Sequence, residues 1–316
     1  MDMISEELIV SGRHIPNVDP YLHVWHWQIP FYLFLGGLAA GILFFAGYFV
    51  ITGKENKMQA TVKWAPILAP IVLIIGLIAL FWDLKHKLFF WNLYTTIRVE
   101  SPMSWGAWTL MVITPLSILW VASYMKEIIP GWNWKFEFLN KIETLLIKYR
   151  VWLAWVMMYF AIILGIYTGI LLSAFNARPL WNTALLGPLF LVSGFSTGLA
   201  ATIWISKDAE ERKILSRIDL VFILVELFLI IHLFMGFWAG SQTSIEAVKM
   251  FLGGSFTVSF WTFVVVLGLI FPGVLESMEL LGFQVPKWIP SALVLFGGLM
   301  FRFIIVQAGQ ISHFIN

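Results

Sequence analysis

An all-α integral membrane protein with eight transmembrane helices is the fold class this sequence predicts, on three observations. Of 316 residues, 60% are apolar and only 12% charged, with a mean hydropathy of +0.86, far outside the range of soluble domains. The apolar residues gather into eight runs of about 20, the length that crosses a hydrocarbon core of about 30 Å at about 1.5 Å of rise per residue. Lysine and arginine fall unequally on the two sides that eight spans define.

In chain order the predicted spans begin with Gln28 to Ile51, which carries a small-xxx-small pair at Gly37 and Gly41. The second, Trp64 to Trp82, contains Pro70 and is closed by Asp83. The third, Trp105 to Tyr124, contains Pro115. The fourth, Val151 to Ser173, holds Tyr167 near its end, and the fifth runs from Ala184 to Ile205. The sixth, Ile218 to Gly240, holds Asp219, Glu226 and His232; Phe256 to Phe271 is the seventh. The eighth, Ile289 to Gln310, carries Arg302 thirteen residues in. Trp25, Trp27, Trp64, Trp105, Trp152, Trp181 and Trp288 sit at span ends, where an amphipathic ring suits the headgroup layer.

The side holding the amino terminus carries six Lys and Arg, and the opposite side thirteen. The positive-inside rule therefore places the opposite side in the cytoplasm and both termini outside it, which requires an even number of spans. Residues 1–27 form a non-cytoplasmic extension. Asp2, Glu6, Glu7 and Asp19 leave it no apolar core of a cleavable signal, so the first span is expected to stay in place. The segment LFLGGLAAG (Leu33 to Gly41) is echoed by LFLVSGFSTG (Leu189 to Gly198) in the fifth span. A true repeat four spans apart would be parallel and would give two four-helix bundles, 28–173 and 174–316; packing by small residues without shared ancestry is the other reading.

No cysteine is present, which excludes disulfides, thiolate iron–sulfur ligands and thioether-bound haem in this protein. A transmembrane haem b needs imidazoles on facing helices, whereas only His232 lies well inside a span; His14, His23, His26, His86 and His313 fall in extensions or at edges. His232 is read as a hydrogen-bonded core residue. Nothing in the sequence points to a metal site or to nucleic acid.

A charged group inside a span costs about 3 kcal/mol on insertion scales, so each one usually has a partner or a task. Gln28, Tyr32, Asp83, Tyr167 and Arg178 fall at one depth near the amino-terminal side, with His26 and His86 close by as groups that titrate near neutral pH. Asp219 and Glu226 are seven residues apart, two turns and about 10 Å along one helix face. With Arg302 they mark either a polar route from the cytoplasmic side or a structural ion pair.

Four motifs, WHWQIPFYLFLGGLAAG (Trp25 to Gly41), SPMSWGAW (Ser101 to Trp108), RPLWN (Arg178 to Asn182) and RFIIVQAGQ (Arg302 to Gln310), occur in this order over almost the whole sequence. The set resembles the polysulfide reductase membrane-subunit family, also called NrfD-like. The resemblance implies an eight-helix subunit of the cytoplasmic membrane without cofactors of its own, binding exchangeable menaquinone or ubiquinone near the outer face. It implies electron exchange with a docked iron–sulfur subunit of the 4Fe–4S ferredoxin type, which serves a molybdopterin catalytic subunit or a multihaem cytochrome. Carried over position by position, it makes Tyr167 the tyrosine at the quinone head group and Asp83 the acid after the second span. The acidic pair of the sixth span falls on Asp219 and Glu226, and the arginine before the AGQ ending on Arg302. The first-span contact, often His in relatives, is Tyr32 here.

Three function classes follow: a quinol-oxidising or quinone-reducing subunit of an oxidoreductase complex, a secondary transporter, and a passive membrane anchor. Quinol oxidation releases two protons with two electrons, so it needs hydrogen-bonding groups such as Tyr32 and Tyr167 and proton relays such as Asp83 and His26.

Overall fold

The computed structural model describes residues 25–132 and 134–312, so the extension before Trp25, including His14 and His23, and His313 lie outside the described residues. Eight helices in it are long and apolar enough to cross a membrane: α1 Gln28–Ile51, α2 Ala60–Asp83, α3 Pro102–Ser123, α4 Arg150–Ser173, α5 Leu186–Ile205, α6 Ala209–Trp238, α7 Thr257–Leu280 and α8 Trp288–Ile311. The protein is a multi-pass all-α membrane protein, as expected. Two boundaries move substantially. α6 starts nine residues before the predicted Ile218, because Asp208 caps it by accepting from the Glu210 amide at 3.1 Å and its charged first turns project beyond the apolar stretch. α7 continues past Pro272 to Leu280, since Glu276 in that stretch is wholly buried and not an exposed loop acid.

Burial sorts the helices. The apolar window of α1 is 83% buried and that of α5 72%, against 28% for α6, so α1 and α5 are central and α6 mostly faces lipid. α1 packs on α2, α4, α5 and α8, and α5 on α1, α4, α6 and α8. Lipid supplies no hydrophobic drive for these contacts, so close approach of backbones must. A Cβ on Gly194 would lie 3.0 Å from Gly37 Cα, and one on Gly198 2.6 Å from Gly41 Cα. The two similar segments read from the sequence are thus the crossing point of α1 and α5. Gly268 of α7 and Gly297 of α8 form a second such crossing.

The Lys- and Arg-rich end is tied by polar contacts. Glu211 at the start of α6 accepts from the Ala60 and Thr61 amides at 3.1 and 2.8 Å and from the Thr61 hydroxyl at 2.7 Å, so it caps α2 from another helix. Arg150 bonds Glu55 at 2.9 Å and Glu127 at 3.0 Å over the Tyr124 ring, and Lys63 joins Glu127 at 2.8 Å. Trp27, Trp64, Trp105, Trp152 and Trp288 are exposed as belt residues should be. Trp181 is not: it is fully buried, because its ring is held against α8.

Candidate functional site

At the other end of the molecule the start of α1, the end of α2, the start of α3 and the last turns of α4 surround a cleft of about 120 Å³. Its polar lining groups are Tyr32, Asp83, Tyr94 and Tyr167, set among apolar residues such as Ile29, Leu80 and Leu110. Each is placed by local sequence. Tyr32 comes one turn into α1, where Gly76 on α2 offers no side chain and the Tyr32 ring passes 3.4 Å from where a Cβ would be. Asp83 is the last residue of α2. The SPMSWGAW segment starts α3 with Pro102 in the first turn, where its missing N–H costs nothing. Trp105 Nε1 of that segment donates to Val99 O at 2.8 Å and Trp108 Nε1 to Tyr94 O at 3.4 Å, which folds the 84–101 connection over the cleft. Gly106 lies directly under the Tyr167 phenol, and any Cβ there would overlap Cζ and Oη of that ring.

Tyr32 and Tyr167 are 3% and 7% exposed, and their phenol groups sit within electrostatic reach of each other. They fall short of hydrogen-bond geometry, which leaves Tyr32 Oη buried without a partner among the described residues. An orphan hydroxyl of this kind is costly unless a ligand or water satisfies it. His26 Nδ1 stands 3.9 Å from Asp83 Oδ1, with the imidazole 69% exposed and the carboxylate 16% exposed, so the pair bridges cleft and solvent.

Gln28 and Arg178, expected in the same cluster, do not line the cleft. Gln28 is half-buried with its Oε1 lacking a hydrogen-bond partner among the described residues. Arg178 is buried and donates to Ser312 O at 3.0 Å, because the RPLWN segment docks on the end of α8. Trp181 Nε1 donates to Ile305 O at 3.0 Å, and its indole occupies the space that a side chain at Gly309 would need. Trp25 packs on Trp181, with ring centroids 5.2 Å apart and the rings tilted by 32°, and exchanges two 2.9 Å hydrogen bonds with Gln310. Three of the four motifs therefore form one buckle that joins the start of α1 to the end of α8 beside the cleft.

Deeper, Asp219, Glu226 and Arg302 are all buried. Arg302 donates to Ser193 Oγ at 2.6 Å and to the carbonyls of Gly298 and Phe190 at 3.1 Å each, and Ser193 also lies beside Glu226. The guanidinium is thus held by α5 and by its own helix, with the Glu226 carboxylate nearby. Asp219 neighbours Ser196 of α5 and Glu276 of α7 without hydrogen-bond geometry, and the carboxylate oxygens of Asp219 and Glu276 lack partners among the described residues. Sequence reasoning misses Glu276, Tyr94 and Gly106. Nothing in the sequence signals Glu276, because Pro272 reads as the end of the span; α7 carries on past it because a wider-wound stretch, Phe260–Ile270, gives way there to ordinary α-helix, whose first turn takes the proline. His232 makes the expected hydrogen bond, from Nδ1 to Phe228 O at 2.8 Å, but on the lipid-facing side of α6 and not in the core. Among the described residues no three His, Asp or Glu side chains gather as a metal-ligand set.

The polysulphide reductase NrfD family model matches residues 16–314. Protein NrfD of Escherichia coli (strain K12) is 31% identical over 307 residues, covering 92% of this sequence and 96% of its own. The C subunit of polysulfide reductase from Wolinella succinogenes is 32% identical over 300 residues, covering 91% and 94%. An NrfD homolog of Haemophilus influenzae is 29% identical over 319 residues, covering 95% and 97%. With agreement running through all eight spans, this protein belongs to the NrfD family of polysulphide reductase membrane proteins.

Proposed function

We propose that this protein is the quinone-binding and quinol-binding subunit of a respiratory oxidoreductase complex in the cytoplasmic membrane, with the cleft end and both termini facing outward. The observation that carries the reading is the convergence of Tyr32, Tyr167 and Asp83, from three different helices, on one cleft that holds an otherwise unpartnered phenol. A planar head group with two opposed oxygens suits that set. Tyr167 and Tyr32 hydrogen-bond its oxygens; Asp83 accepts a proton from the quinol and His26 passes it to water. Electrons go to or come from a ferredoxin-like iron–sulfur subunit docked on this face, and through it a molybdopterin subunit or multihaem cytochrome. The W. succinogenes relative is named as one lettered component of a reductase, which supports an assembly of several subunits.

Tyr167→Phe and Asp83→Asn should each abolish quinol-dependent reduction of the partner while the complex still assembles. Unchanged turnover in both variants would remove the cleft from the mechanism.

We further propose that Glu276, Asp219, Glu226 and Arg302 conduct protons from the cytoplasmic side towards the cleft. The polar line runs from α7 through α6 to α8 along the α5 serines, and the Asp219 and Glu276 carboxylates are buried without the partners a purely structural pair would have. Glu226→Gln should change the proton uptake per quinol in proteoliposomes; an identical stoichiometry would leave only a packing role.

A further inference from the structure

At the Lys- and Arg-rich end lies a second cavity, of about 510 Å³, which the quinone reading does not use. It opens where the α1–α2 connection meets the α5–α6 connection. Asn56, Lys57 and Gln59 line one side, Lys207 and Asp208 the other, and the exposed apolar faces of Trp64 and Ile205 form its membrane-side wall.

The cavity lining holds two lysines, Lys57 and Lys207, and two acids, Asp208 and Glu211, and the acids are turned to other partners. Neither Lys57 nor Lys207 meets a carboxylate within ion-pair distance among the described residues. Glu211, in the cavity wall, has both oxygens engaged by Ala60, Thr61 and Ser206. Asp208 spends one oxygen capping α6. Behind the wall Lys287 donates to Ser206 O at 2.6 Å, and Arg212 is offset by Glu279 at 3.7 Å. Burial, with Arg212 and Lys207 facing it, pulls the Lys287 ammonium below its ordinary pKa, an independent sign of crowded cations. Lys57, Lys207 and Lys287 thus stand against Asp208 and Glu211, three cations to two acids, with neither acid paired to Lys57 or Lys207.

We infer that this cavity binds the phosphate of an anionic glycerophospholipid, with Lys57 and Lys207 on the head group and the acyl tails running down Trp64 and Ile205. Basic pockets between helices at the cytoplasmic surface take such head groups, and an indole and an aliphatic side chain at the same rim suit a ligand that is half apolar. Asn56 and Gln59 add amide donors for phosphate oxygens. Free inorganic phosphate shares the anion chemistry but makes no use of the apolar wall.

The test is lipid retention by the full-length protein, delipidated in detergent, titrated with palmitoyl-oleoyl phosphatidylglycerol and followed by native mass spectrometry. Lys57→Gln with Lys207→Gln should weaken the tightest lipid about thirty-fold, at about a tenfold step per 1.4 kcal/mol and about 1 kcal/mol per lysine. Lys57→Arg with Lys207→Arg should keep it, which separates charge from damage to the fold. Equal retention by the glutamine variant overturns the site, and displacement of the lipid by millimolar inorganic phosphate overturns the lipid as its occupant.

Discussion

Gly106→Ala isolates the geometry of the cleft from its chemistry. The Tyr167 ring rests on the Gly106 backbone so closely that a methyl group there must displace Cζ, Oη and Cε1 together. The ring is buried between α3 and α4, and the space open to it lies outward, in a lipid-side groove lined by Ile163, Ile166 and Ile170. Overpacking of this kind costs about 1–3 kcal/mol of stability. Swinging the phenol outward also removes its hydroxyl from the cleft and leaves Tyr32 as the only one of the two phenols assigned to the head group there. A lost hydrogen bond of about 1.5 kcal/mol corresponds to roughly tenfold weaker quinone binding. The assay is equilibrium titration of the purified complex with a short-tailed menaquinone analogue, run beside thermal unfolding. Tyr167→Phe should show the same loss of affinity with an unchanged unfolding midpoint, since the ring keeps its seat. Wild-type affinity in Gly106→Ala would refute the assignment of this phenol to the head group.

Gly198→Ala should lower the unfolding midpoint by an amount equivalent to about 1–3 kcal/mol, because the new Cβ would meet Gly41 backbone at 2.6 Å and backbone cannot step aside. Gly236→Ala on the lipid side of α6, where nothing lies within 4 Å, is the control and should be neutral; equal effects in the two would contradict the crossing as the point of closest approach. Glu127 carries a pH dependence. Burial alone would raise its carboxyl, but hydrogen bonds and charge from Lys63 and Arg150 outweigh that and lower it below the ordinary 4.5. A depressed folded-state value means the stabilisation is present above about pH 4.5 and disappears as pH falls through the lowered value. The stability gap between wild type and Glu127→Gln, measured as unfolding midpoint against pH, should therefore close in acid; a gap constant down to pH 3 or so would rule out this linkage.

Much of the site is readable as position along spans. Residue counts alone put Tyr32, Asp83 and Tyr167 at one depth, and they share a cleft. Arg178 lies at the same depth yet turns to the end of α8, since depth says nothing about direction around the bundle. Glu276 escapes notice because a Pro and two acids read as loop, whereas burial against α6 keeps that stretch helical and its carboxyl inside. His232 errs in the other sense: its hydrogen bond is local, to the carbonyl four residues back, so the residue needs no core around it.

Eight helices, their order and most of their ends follow from the sequence by itself, because a bilayer forces every backbone polar group into a helix and sets its length; the start of α6 and the end of α7 do not. Only the tertiary structure decided which helices touch. With lipid as apolar as the side chains, neighbours are chosen by shape, by glycine facing glycine at the α1–α5 and α7–α8 crossings and by an indole filling the space above Gly309. Those contacts, remote in sequence and without a hydrophobic signature, are what bring two phenols and a carboxylate from three helices to one cleft.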